Sequence, residues 1–181
     1  MTGVGPAIHE RHDQDMTGPD QAMIDLYLVR HAHAGNPVKW AAADELRPLS
    51  AKGLRQATRL GDFLASAEVG PVAIVTSPKV RARQTADVLG AALSGDVRLD
   101  ERLASGLSID LLRALVGETD VADGLMLVGH DPDFSEVASV LVGAPIVVRK
   151  GAVVRLALER DAVDAGAGIL RWLIPPEALG R

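Results

Sequence analysis

Leu26-Tyr27-Leu28-Val29-Arg30-His31 is an apolar run of strand length that stops on a cation and an imidazole. The run is too short for a helix, and its lack of polar alternation suits a strand buried on both faces. Two later stretches repeat the device: Val72-Ala73-Ile74-Val75-Thr76-Ser77 and Leu125-Met126-Leu127-Val128-Gly129-His130. Between them the period changes to that of a helix. Residues 50–65 place Leu54, Ala57, Gly61 and Leu64 on one stripe, with Ser50 positioned as the N-cap. Ser77-Pro78 opens a second helix, Ser as the cap and Pro in the first turn, where its missing N–H costs nothing. Further helices are expected over residues 109–116 and from Asp131-Pro132 through Val137, Val140 and Leu141. Short aliphatic strands alternating with amphipathic helices specify an α/β fold: a single three-layer domain, its largely parallel central sheet flanked by helices on both faces. Residues 146–148, 152–158 and 169–173 are expected to add antiparallel strands, and Pro175-Pro176 to end the ordered part.

Composition narrows the function classes. The chain has 181 residues, 48% of them hydrophobic, which suits one domain and is too short for an ordinary eight-stranded α/β barrel. Lys+Arg 19 against Asp+Glu 24 leaves a net charge of −5, so no basic field is available for a nucleic-acid backbone and no nucleic-acid partner is expected. The absence of Cys excludes a disulfide framework, a thiolate metal site and any cysteine nucleophile, that of the thiol-dependent phosphatases included. No apolar run approaches the roughly 18 to 20 residues needed to cross a bilayer. The first 22 residues mix Gly3, Gly5, Pro6, Gly18 and Pro19 with His9, His12 and several charges, and lack the apolar segment of a secretory signal. The expectation is a soluble, cytoplasmic protein without a membrane partner: a flexible tail over residues 1–22, the domain over 23–176 and a short C-terminal tail over 177–181.

The chemistry gathers where the strands end. Arg30-His31, Thr76-Ser77 and Gly129-His130 are polar terminations that a bland core would not choose, and ligands of open parallel sheets bind beyond the carboxyl ends of the strands. In the helix after Ser77, Arg81 and Arg83 point roughly 200° apart, so only one of them faces that crevice. Arg83 shares its side with Asp87, an i,i+4 partner on a solvated face, while Arg81 stacks with Thr85 and Val88 near the helix start. Arg81 is therefore placed in the site and Arg83 on the surface. Two arginines, two histidines and two helix N-termini describe a pocket for a compact anion with several oxygens, and phosphate fits best. The sequence has neither a Walker A motif nor G-x-G-x-x-G, and no carboxylate cluster suited to Mg²⁺. What remains is an imidazole that accepts the phosphoryl group and passes it to water.

On these residues the chain resembles the histidine phosphatase (phosphoglycerate-mutase-like) superfamily. Leu28-Val29-Arg30-His31-Ala32 is similar to its Arg-His-Gly signature. Arg47-Pro48-Leu49-Ser50 followed by Gly53, the run from Ser77 to Ala86, and Val128-Gly129-His130-Asp131-Pro132 resemble its short SixA-type phosphohistidine phosphatases more narrowly. The resemblance covers nearly all of the chain outside the tail. It implies the phosphoglycerate-mutase-like fold, with His31 as the nucleophile that is transiently phosphorylated. It further implies that Arg30 and Arg81 bind the phosphoryl oxygens and that His130 donates a hydrogen bond to the charge in the transition state. Arg47 matches a substrate-contacting arginine of this branch, against the alternative of a surface charge. No metal and no other cofactor are expected.

Three departures bear on this reading. Ala32 stands where glycine is commoner, and its methyl is small enough for the turn to survive. His33 is read as a polar residue at the rim of the site. Glu101 is the nearest candidate for the acid that other branches use on the leaving oxygen, yet Glu101-Arg102 reads equally as a surface pair, so Glu101 stays outside the catalytic set. The short stretch over residues 96–124 leaves the pocket open, which favours phosphohistidine on a partner protein, a histidine-phosphotransfer or phosphocarrier protein, over a small phosphate ester. A small-molecule phosphomonoesterase and a non-catalytic phosphate-binding module are the alternatives. A metal hydrolase built on His31-Ala32-His33 would need further ligands on later strands.

Overall fold

Alternating side chains along the strands build two cores, one on each face of a six-stranded sheet. The computed structural model describes residues 23–70, 72–119 and 124–180; the expected tail over 1–22 lies outside them. Strands β1 (Met23–Arg30), β2 (Ala73–Thr76), β3 (Val97–Leu99), β4 (Gly124–Gly129), β5 (Val153–Glu159) and β6 (Ile169–Ile174) lie in the order β3-β2-β4-β1-β5-β6. The first four are mutually parallel, and β5 and β6 join antiparallel beside β1. Ile24, Leu26 and Leu28 of β1, with Leu125 and Leu127 of β4, enter a core with helices α3 (Ile109–Gly117) and α4 (Asp133–Val142). Tyr27, Val29, Met126 and Val128 point the other way, toward α1 (Ala51–Ser66) and α2 (Val80–Leu93). The period-2 alternation inside a run that is apolar throughout is what lets one strand serve both layers. Among the described residues no helix is long and apolar enough to cross a membrane.

Several local expectations change. Ser50 does cap α1, accepting from the Gly53 N–H. The buried stripe of α1, however, is Gly53, Ala57, Leu60, Gly61 and Leu64, with Leu54 exposed. Gly53 is required by contact: a Cβ there would stand 2.0 Å from the His33 carbonyl oxygen, so only glycine lets the helix start so close to the chain that leaves β1. Ser77 does not cap α2. That helix begins at Val80, behind Lys79, and the Ser77 hydroxyl is turned toward His130. Residues 146–148 form no strand; this segment is tied instead to the side chains of Ser135 and Ser139 on α4. Order does not end at Pro175-Pro176, because the second proline opens a 3-10 turn, Pro176–Leu179, and the Gly180 carbonyl accepts from Arg59 Nη1 at 2.9 Å.

Candidate active site

The register of the parallel strands brings the three polar tips side by side. Thr76 pairs with Val128 and Arg30 with Gly129, so Ser77, His130 and His31 leave three adjacent strands together. The ladder runs one residue further on each side: His31 N–H donates to the Gly129 carbonyl and Ser77 N–H to that of Val128, both at 3.0 Å. Arg81 reaches this point from the first turn of α2, and Lys150 from the loop before β5. Arg30, His31, Arg47, Lys79, Arg81, His130 and Lys150 all line one pocket of about 200 Å³, together with Ser105, Asp131 and Asp133 among others. All five residues singled out from the sequence are thus brought together, and Arg47 is buried rather than a surface charge.

His31 is oriented by its own backbone. Nδ1 lies 2.8 Å from the Ala32 carbonyl oxygen, and a carbonyl only accepts, so Nδ1 carries the proton and Nε2 keeps its lone pair. Arg81 Nε donates toward that lone pair at 3.3 Å. Burial, opposed by the Ala32 hydrogen bond and reinforced by the charges of Arg81, Arg30 and Lys150, pushes the His31 imidazole down to about 4. Across the pocket stands His130, its ring centroid 5.2 Å from that of His31. Burial, then the neighbouring charges of His31, Arg81 and Lys79, hold the His130 imidazole down to about 3. Its Nε2 lies 2.8 Å from the Ser77 hydroxyl, which fixes the ring. Both imidazoles are neutral at neutral pH.

The cations are held from behind. Arg30 Nη1 donates to the Val148 carbonyl at 2.9 Å and lies 3.4 Å from the Asp131 carboxylate. Its Nε is buried without a hydrogen-bond partner among the described residues. Arg47 Nη1 donates to the Ala34 carbonyl at 2.7 Å. Burial and the charges of Arg30, Arg47 and Arg81 push the Lys150 ammonium down. This concentration of positive charge suits a multivalent oxyanion, because a dianion arriving there meets several charge-assisted donors at once.

The remaining sequence expectations sort by geometry. Arg83 is exposed, with Asp87 3.9 Å away, as the helical spacing requires. Ala32 is fully buried and its backbone is not left-handed, so its methyl is accommodated, and its N–H donates to Thr85 Oγ1. His33 is not at the pocket: Nδ1 lies 2.7 Å from the Ser50 hydroxyl, which ties it to the start of α1. Glu101 is exposed and does not line the pocket, and Arg102 pairs with Asp100 and Glu118 rather than with Glu101. Among the described residues no group of three or more His, Cys, Asp or Glu side chains is placed to hold a metal ion. Lys79, Lys150 and Asp44 escape a reading of the sequence. The first two carry no local signal beyond their charge, and Asp44 has only its position three residues before Arg47.

A sequence model of the histidine phosphatase superfamily (branch 1) matches residues 26–105. An uncharacterized protein of Picosynechococcus sp. is 34% identical over 121 residues, which cover 65% of this chain and 73% of that protein. The protein histidine phosphatase SixA, solved in complex with tungstate, shares the fold with a TM-score of 0.73 at 24% identity, over 86% of this chain and 99% of SixA. A mycobacterial glucosyl-3-phosphoglycerate phosphatase does so with a TM-score of 0.61 at 20% identity, over 82% of this chain and 97% of its own.

Proposed function

The chain belongs to the histidine phosphatase superfamily, and from that premise we propose that it removes phosphate from phosphohistidine on a partner protein through a covalent intermediate on His31. The observation that carries the reading is the neutral His31 imidazole, its Nε2 lone pair facing the Arg81 guanidinium inside a cationic pocket. In the first step Nε2 attacks phosphorus, the bond from phosphorus to the substrate nitrogen breaks, and that nitrogen keeps the electron pair and takes a proton from solvent. In the second, water attacks the phosphorus on His31, the P–Nε2 bond breaks, and inorganic phosphate leaves with the lone pair restored to Nε2. Arg30, Arg81 and Arg47 stabilise the equatorial oxygens, and His130 donates a ring N–H to the same charge. No acid is required for a leaving group that is itself a basic nitrogen.

The likeness to SixA, a protein histidine phosphatase, supports a protein substrate. A second reading, a small-molecule phosphomonoesterase, is favoured by the likeness to the glucosyl-3-phosphoglycerate phosphatase. Incubation with ³²P-labelled phosphohistidine proteins and with labelled small esters, quenched in alkali, separates the two. The proposal expects label on His31 and faster turnover of the protein substrate. Faster turnover of the esters would favour the second reading, and absence of label on His31 would overturn the mechanism.

A further inference from the structure

Among the described residues Asp44 is the one carboxylate that touches two of the pocket arginines. It opens a 3-10 turn, Asp44–Leu46, that lies against the start of α2. Its Oδ1 accepts from Arg47 Nε at 2.8 Å, its Oδ2 lies 3.0 Å from Arg81 Nη2, and its backbone carbonyl accepts from Arg81 Nη1 at 2.7 Å. Arg81 is thereby held by both terminal nitrogens, and its Nε is aimed at His31 Nε2. Arg47 is held by Asp44 on one side and by the Ala34 carbonyl on the other. The two guanidinium groups repel each other, and the Asp44 charge opposes that repulsion.

We propose that Asp44 is a positioning residue that sets the spacing and orientation of Arg47 and Arg81 for the phosphoryl group. The inference rests on the phosphatase reading above. A carboxylate beside an anion site ordinarily weakens anion binding by like-charge repulsion. Its presence here is explained if what it gains in arginine geometry exceeds what it costs in repulsion, since transition-state stabilisation depends on donors fixed in advance. The hydrogen bonds with both arginines keep the carboxyl below the usual carboxylate range, so it stays ionised at neutral pH and does not serve as an acid toward the leaving group.

The two possibilities, positioning and plain repulsion, have opposite signs, and a cycle of variants reads them. Asp44→Ala and Asp44→Asn are compared in the wild-type background and in an Arg47→Ala/Arg81→Ala background, after thermal melts establish folding. Turnover of a small phosphate ester and inhibition by orthovanadate and inorganic phosphate are measured. Positioning predicts a roughly 10- to 100-fold fall in kcat/KM for Asp44→Ala, carried mainly by kcat, with vanadate weakened more than phosphate. In the double-arginine background the same substitution changes residual turnover less than about 2-fold, because Asp44 then has nothing to position. Asp44→Asn keeps the volume and an acceptor oxygen, so its turnover falls between those of Asp44→Ala and the wild type, and it carries the test if Asp44→Ala folds poorly. Tighter vanadate binding with unchanged turnover, or a loss undiminished in the double-arginine background, overturns the proposal. Full activity of His31→Ala and Arg81→Ala would overturn the phosphatase reading itself, and this inference with it.

Discussion

At the amino-terminal end of β1, Asp25 and Arg155 meet as an ion pair beside Tyr27. At its carboxyl-terminal end, Arg30, Arg47, Arg81, Lys79 and Lys150 crowd around two histidines. The first cluster is self-contained. Arg155 Nε donates to Asp25 Oδ1 at 3.0 Å, the guanidinium lies 5.6 Å from the Tyr27 ring centroid, and burial pushes the Tyr27 hydroxyl up to about 12, so it stays protonated. The second carries cations beyond what Asp44 and Asp131 offset, and both of its imidazoles are held neutral. Polar groups at one end of the sheet complete one another, and those at the other leave positive charge uncompensated. The difference follows from parallel strands, whose carboxyl ends splay chain into loops and helix starts where side chains from distant segments converge.

The contrast between the two ends depends most heavily on His31. His31→Ala should lower hydrolysis by about three orders of magnitude or more in initial-rate assays, because the proposed covalent step runs through its Nε2. Retention of near-wild-type turnover would remove the functional contrast between the two ends.

Acid comes next. Both histidines have values in the folded chain below the ordinary 6.5, near 4 for His31 and near 3 for His130. The unfolded chain therefore binds more protons below about pH 6.5, and their contribution to stability, complete above that pH, declines as pH falls toward the folded values. Each contributes a slope of up to about 1.4 kcal/mol per pH unit in that window. Denaturant melts from neutral pH down to about pH 4.5 should show the decline, flattened in His31→Asn, and NMR titration should place both midpoints well below the ordinary histidine value.

At the opposite end, replacing the half-buried pair by Asp25→Asn with Arg155→Met should leave kcat/KM within about 2-fold. The melting temperature should fall by only a few degrees, since such pairs contribute about 0.5–1 kcal/mol. A large loss of turnover would show that the two ends are coupled. The smallest effect is expected at Arg83→Ala on the exposed face of α2, where the pair with Asp87 contributes about 0.5 kcal/mol or less and activity is unchanged.

The strand tips are legible in the sequence because each is an aliphatic run closed by a polar pair, a local signal that survives without knowledge of neighbours. Arg81 and Arg83 are separable because helical geometry is fixed over two residues. Asp44 is not legible, because its contact with Arg81 spans 37 residues and depends on how the 3-10 turn lies against α2. Ser77 misleads for a related reason: Ser before Pro is a good local cap, but the hydroxyl finds His130, 53 residues later. Residues 146–148 look like a strand by composition, yet the Ile146 and Val148 N–H groups donate to serine hydroxyls of α4 rather than to a neighbouring strand.

The strand that ends at His31 is gripped on both edges, by β4 on one side and β5 on the other. Neither neighbour exists until residues far downstream have been made. A nascent chain that has not yet delivered residues 153–159 leaves one edge of β1 open, so the sheet edge that carries His31 is completed only late in synthesis.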